Sequence, residues 1–196
     1  MAGGLMGAFP ALPHGGLGRG REGPLPPRVD CTRSPRCAQR GTGRLIPTTL
    51  QIALPRAPVL QDLPGVLDLN RAQGREWPGV TSFPGDFLEV LPEGPFDLAY
   101  LGNVTHIYGA EENVALLTRL RERQPVGGMV AINDFVRGRS PRAPLFALQM
   151  LLSTHQGGVR SEAEYRAWLE RAGYEDVRVE DRPGGVKQLV LAQRGP

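Results

Sequence analysis

Between Phe96 and Phe135 the chain reads strand, amphipathic helix, strand, and that order leaves few architectures open. The run FDLAYL (96–101) is apolar almost throughout, as a strand buried on both faces must be. Glu111 to Arg123 follows at helical spacing, acidic at its start and basic at its end, which complements the helix dipole. Val114, Leu117 and Leu120 mark its expected buried stripe. Gly127-Gly128 interrupts the pattern, and Met129 to Phe135 is a second apolar strand. Strands of this kind joined through a helix form a parallel βαβ unit. The chain is therefore predicted to be α/β, a Rossmann-like, doubly wound and mostly parallel sheet.

The flanking segments extend that register. Pro47 to Leu54 reads as a short helix, Ala57 to Gln61 as a strand ending at Asp62, and Gly79 to Phe83 as another ending before Asp86. Phe146 to Thr154 is an apolar helix. Ser161 and Glu164 form a capping box, with Tyr165, Trp168, Leu169 and Ala172 at helical spacing behind it and Gly173 closing the helix. Tyr174 to Val179 and Val186 to Ala192 then form a closing antiparallel pair around Pro183-Gly184-Gly185. A chain of 196 residues supports one domain of this type.

Residues 1–44 have a different texture. Ten glycines and six prolines fill more than a third of the segment, too little apolar surface to offset backbone ordering, so loose coil is expected. Seven arginines stand there against Glu22 and Asp30, a surplus of five, while the whole chain carries +3, so the remainder is near −2. A basic body for nucleic acid is not supported. Cys31 and Cys37 make neither a zinc site nor a disulfide framework, so no metal and a reducing cytoplasm are expected. No apolar run reaches membrane-spanning length, and Pro10, Pro13 and several glycines argue against a secretory signal. An Arg-rich, acid-poor start imitates a transit peptide but lacks its serines and amphipathic period.

Chemistry in such a sheet belongs at the carboxyl ends of the strands. Asp62 is placed there to take ribose hydroxyls, or else to cap the helix after it. Gly41-Thr42-Gly43 is the candidate for a glycine turn approached by a cofactor, with room between Gly43 and Asp62 for one helix and one strand. The polar stretch Ser34 to Arg40 does not supply the strand that should precede it. His106 can take a proton from a hydroxyl near neutral pH, or simply hydrogen-bond its loop. Asp134 ends the neighbouring strand, where an acid can orient an imidazole.

Taken together, DLPGVL (62–67), PGDFLEVLPEGPFDLAYLGNVTHIYGAEEN (84–113), VGGMVAINDF (126–135) and SEAEYRAWLERAGYEDVRV (161–179) resemble the class I methyltransferases. More narrowly the chain looks like the small-molecule O-methyltransferases that carry a helical N-terminal dimerisation domain, over roughly Gly41 to its end. The resemblance implies S-adenosyl-L-methionine as cofactor and a small-molecule hydroxyl as acceptor. By position it implies Gly41 and Gly43 in the cofactor loop, Asp62 and Leu63 at the ribose, and Asp86 with Phe87 at the adenine. It implies His106 as general base, Asp134 as its orienting acid, and Asn103 and Met150 at the acceptor. The family's homodimer is implied as well, although its dimerisation domain is expected to be absent here.

Departures accompany the likeness. Ile107 stands where the family commonly has an acid after the histidine, and Val159 falls where plant members carry a second orienting acid. Residues 1–40 match nothing in the family, so a catalytic domain over 41–196, truncated on its N-terminal side and possessing no regular first strand, is expected. Two other functions compete: a degenerate, non-catalytic remnant, and nucleic-acid binding by the arginines of residues 19–44, which few aromatics accompany.

Overall fold

The computed structural model describes residues 49–53, 58–75, 78–182 and 186–196. The coil expected over residues 1–44, Gly41 and Gly43 with it, lies outside the described residues. The described chain is an α/β fold on one seven-stranded sheet, in the order β3-β2-β1-β4-β5-β9-β8. Its strands are β1 (Thr49–Ala53), β2 (Pro58–Asp62), β3 (Thr81–Pro84), β4 (Leu98–Gly102), β5 (Met129–Asp134), β8 (Tyr174–Asp181) and β9 (Gln188–Arg194). The two-residue strands β6 (Val136–Arg137) and β7 (Arg160–Ser161) pair separately. Helices α1 (Pro64–Ala72), α2 (Ala110–Glu122), α3 (Ala143–Ser153) and α4 (Glu162–Arg171) connect them.

The parallel unit at the centre forms as expected. β4 and β5 pair in parallel from Leu98↔Met129 to Gly102↔Asn133. Their apolar residues Ala99, Leu101, Val130 and Ile132 are completely buried. Across from them α2 lays down Leu116, Leu117 and Leu120, while Val114, expected in that stripe, is only half-buried. α4 adds Tyr165, Trp168 and Leu169 to the same core. The capping box is made: Ser161 N–H and hydroxyl both donate to Glu164 Oε2, at 2.7 and 2.8 Å. Gly173 follows α4 at φ 83°, the left-handed conformation that a glycine adopts without strain. β8 and β9 pair antiparallel, with β9 inserted between β5 and β8.

One element departs from expectation and changes the sheet. The segment predicted as a helix over Pro47 to Leu54 is, over Thr49–Ala53, the central strand β1. It runs antiparallel to β2, with Leu50 opposite Gln61, and antiparallel to β4, with Thr49 opposite Gly102. Two physical reasons account for it. A helix between Pro47 and Pro55 would be too short to hold itself, whereas a strand between β2 and β4 satisfies ladder groups on both neighbours. Only residues 54–57 separate β1 from β2, and a parallel pair needs a crossover of about a dozen residues or more. Antiparallel pairing is the geometry that so short a connection permits.

The expected βαβ unit between Gly43 and Asp62 is therefore replaced by an antiparallel strand pair. Five strands still share one direction, β2, β3, β4, β5 and β8, with β1 and β9 against them. Their carboxyl ends define one edge of the sheet, and the chain enters β1 at that same edge.

Candidate active site

At the carboxyl edge a single 3-10 turn, Thr105–Ile107, carries His106 beside the end of β5. His106 Nδ1 lies 2.8 and 2.9 Å from the two carboxylate oxygens of Asp134. Both residues are buried, Asp134 completely. Because a carboxylate only accepts, Nδ1 carries the proton and Nε2 is left with the lone pair. The two candidates placed by sequence are thus brought together.

Asp134 is itself held. Its Oδ1 takes the Phe135 N–H at 2.8 Å, and its Oδ2 takes the Thr105 hydroxyl at 2.8 Å. Thr105 Oγ1 is 2.9 Å from the Tyr165 hydroxyl, deep under α4. Since Thr105 spends its proton on Asp134, Tyr165 donates to Thr105. Burial pushes the Tyr165 phenol well above the ordinary tyrosine range and the nearby Asp134 adds to this, with Thr105 opposing, so the donor stays protonated. Ile107, which follows the histidine, is half-buried and offers nothing polar from its side chain.

A second group of candidates gathers at the ends of β2 and β3. Asp62 is buried, and its Oδ1 accepts the Leu63 N–H at 2.9 Å. It does not cap α1, whose N-cap is Leu63 with no side-chain bond, so the capping alternative is set aside. Leu63 is half-exposed at the edge. The Gly85 N–H donates to the Asp62 carbonyl at 3.1 Å, tying the two loops together. Asp86 then starts a tight turn, its Oδ1 accepting the Leu88 N–H at 2.8 Å. Phe87 is buried in the main core, edge-on to Tyr108 at 5.7 Å. Burial raises the Tyr108 phenol, and Asp86, Glu112 and Asp62 each raise it further.

The third side is α3. Its inward face brings Phe146 edge-on to His106, ring centres 4.7 Å apart, and against Phe135 at 4.3 Å. Met150 is buried on this helix, while Leu145, Leu148, Leu151 and Leu152 face outward, the last 79 % exposed. Val159 is buried with Phe135 and Ala143, so this position adds to an apolar wall. Asn103, at φ 61° after β4, receives a hydrogen bond from Lys187 Nζ on its Oδ1. Lys187 also lies 4.7 Å over the Phe135 ring.

Sequence reasoning missed four of these residues. Thr105 and Tyr165 carried no signal as a pair, being 60 positions apart, and Tyr165 read only as part of a buried stripe. Tyr108 was an aromatic two places beyond His106, and Lys187, the chain's sole lysine, stood out only by composition. Among the described residues, no cluster of His, Cys, Asp or Glu could hold a metal, and no helix is long and apolar enough to cross a membrane.

A family model described as an O-methyltransferase domain matches residues 41–175, more than half of the chain. Acetylserotonin O-methyltransferase from Bos taurus is 31% identical over 161 residues, covering 79% of this chain and 46% of its own length. The S-adenosyl-L-methionine-dependent methyl transferase PigF from Serratia is 32% identical over 108 residues, covering 53% of this chain and 31% of its own. The chain thus spans less than half the length of these relatives. Human N-acetylserotonin methyltransferase, solved in complex with SAM, shares the fold with a TM-score of 0.64 at 24% identity, over 70% of this chain and 40% of that one. PigF with SAH gives 0.59 at 25% identity, over 69% and 42%. The chain belongs to the O-methyltransferase domain family.

Proposed function

We propose that the chain transfers a methyl group from S-adenosyl-L-methionine to a hydroxyl of a small molecule, with His106 as general base. The observation that carries this reading is the bond between His106 Nδ1 and Asp134, which leaves Nε2 as a lone-pair acceptor at the carboxyl edge. His106 Nε2 removes the acceptor's proton, and Asp134 stabilises the imidazolium that results. Phe146, Met150 and Phe135 exclude water from the base and present an apolar wall to the acceptor, beside Asn103.

The residues present fit the adenosine half of the cofactor. A ribose offers two hydroxyl donors, and Asp62 supplies a buried carboxylate to accept them, with Leu63 beside it. Asp86, Phe87 and Tyr108 supply a carboxylate and two aromatic rings for an amino-substituted base. Gly41 and Gly43 would take the methionine end. Bound S-adenosyl-L-methionine supplies an electrophilic methyl on a sulfonium, which is displaced as a neutral thioether. The chain's part is then to hold the acceptor oxygen in line and to take its proton.

Calorimetry with S-adenosyl-L-methionine and S-adenosylhomocysteine, followed by methyl transfer to a panel of phenols, tests the reading. Binding heat together with transfer that falls about 10²–10⁴-fold in His106→Gln is expected. Absence of binding heat would sink it. A specific observation favours the second reading, a non-catalytic remnant: the strand between β2 and β4 runs antiparallel to both, so its amino end rather than its carboxyl end lies at the edge of the candidate site. Cofactor binding without transfer to any phenol would favour that alternative.

A further inference from the structure

Lys187 is the chain's sole lysine, and it precedes β9 at the carboxyl edge of the sheet, next to Gln188, which pairs with Asp134. Its ammonium donates to Asn103 Oδ1 and rests over Phe135. Among the described residues Lys187 forms no ion pair with a carboxylate. Asp134 is the nearby acid, yet both of its oxygens are taken up by His106, Thr105 and the Phe135 N–H. Burial draws the Lys187 pKa down, Asp134 opposes this, and Arg182 adds to it. Among the described residues the half-buried ammonium touches a neutral amide and a ring face, with Asp134 attracting it from further off, and a bidentate anion would complete its compensation.

Its position fits a ligand contact better than a structural one. Lys187 lies over Phe135 and His106 lies edge-on to Phe146, and these two rings are themselves in contact, 4.3 Å between centres. The other charged candidates at this edge, Asp62, Asp86 and Asp134, are all acids. Building on the methyltransferase reading, we propose that Lys187 receives the carboxylate of a bound ligand. Two sources carry that group: the aminoacyl end of the cofactor, and an acceptor that is both phenol and acid, such as a hydroxybenzoate. An acidic phenol against the Phe135–Phe146 wall would offer its hydroxyl to His106 and its carboxylate to Lys187.

A single lysine makes the test direct, because lysine-selective ¹³C labelling of the full chain gives one side-chain ε resonance. That resonance is titrated with S-adenosylhomocysteine and its carboxylate-free analogue 5′-methylthioadenosine, and separately with 4-hydroxybenzoate and its methyl ester. Calorimetry of the same four ligands is repeated on Lys187→Met and Lys187→Arg. The expected result is that one acid moves the resonance while its carboxylate-free partner does not. Lys187→Met should then weaken that acid about tenfold and leave the partner unchanged, with Lys187→Arg retaining most of the affinity. Whichever acid responds identifies the source. A resonance moved by neither acid, or Lys187→Met weakening acid and analogue alike, overturns the proposal. If the hydroxybenzoate arm responds while neither adenosine compound gives binding heat, the carboxylate site stands and the methyltransferase reading falls.

Discussion

The Tyr165 hydroxyl stands 2.9 Å from Thr105 Oγ1, and through Thr105 it reaches the carboxylate that orients His106. α4 is thereby connected to the His106 imidazole through two hydroxyl groups and the Asp134 carboxylate. Thr105→Val removes a buried donor from Asp134 and should cost about 1–3 kcal/mol, read as a shift of the urea midpoint. Tyr165→Phe should cost about 1 kcal/mol. In the double variant the two losses should fall short of additive, since each breaks the same chain of bonds. Strict additivity would count against the chain.

Asp134→Asn keeps the shape of the site but can donate as well as accept. The imidazole then loses its reason to keep the proton on Nδ1, so Nε2 is no longer reliably the acceptor. Methyl transfer should fall about 10²-fold or more, while S-adenosylhomocysteine affinity holds. Imidazole ¹⁵N shifts report the tautomer independently of activity, and an unchanged Nδ1–H form would refute this account.

Asp62→Asn exchanges a doubly accepting carboxylate for an amide at the proposed ribose contact. S-adenosylhomocysteine affinity should drop about tenfold or more, read by calorimetry. Asp68→Asn, a change at an exposed residue paired with Arg71, provides the control.

Glu164 links acid stability to the α4 cap. Burial raises its pKa, but the Ser161 N–H, the Ser161 hydroxyl and Arg137 together outweigh this, leaving it below the ordinary glutamate value. A depressed folded-state pKa contributes stability above the unfolded-state value, and that contribution is lost as pH falls through the folded value. Glu164→Gln should therefore flatten the loss of melting temperature below about pH 4.5 and lower stability near neutrality. An acid limb identical to that of the parent chain would contradict it.

β1 invites a backbone test. Gln51→Pro removes a ladder N–H and sets a ring inside a strand paired on both sides, which should cost about 3 kcal/mol or more. If β1 is integral to the sheet, the urea midpoint falls accordingly. An unchanged midpoint would mean that the sheet holds without it.

Much of the fold was legible in the sequence because it is local or periodic. FDLAYL, the spacing of Leu117 and Leu120, the Ser161–Glu164 box and the left-handed Gly173 each depend on neighbours within a few residues. The order of these units placed Asp62, Asp86, His106 and Asp134 at strand ends, and therefore on one edge. The amino acids alone pointed to the α/β class, to the edge at which the candidate residues gather, and to the pairing of His106 with Asp134. Tertiary structure decided the rest. The direction of β1 depends on unpaired ladder groups of β2 and β4 and on the four residues before β2, not on the propensity of Thr49–Ala53. The hold on Asp134 and the seat of Lys187 depend on contacts 60 and 84 positions apart, which no local pattern encodes. Hydrogen bonds and charges are satisfied in space, and only the folded sheet brings their partners within reach.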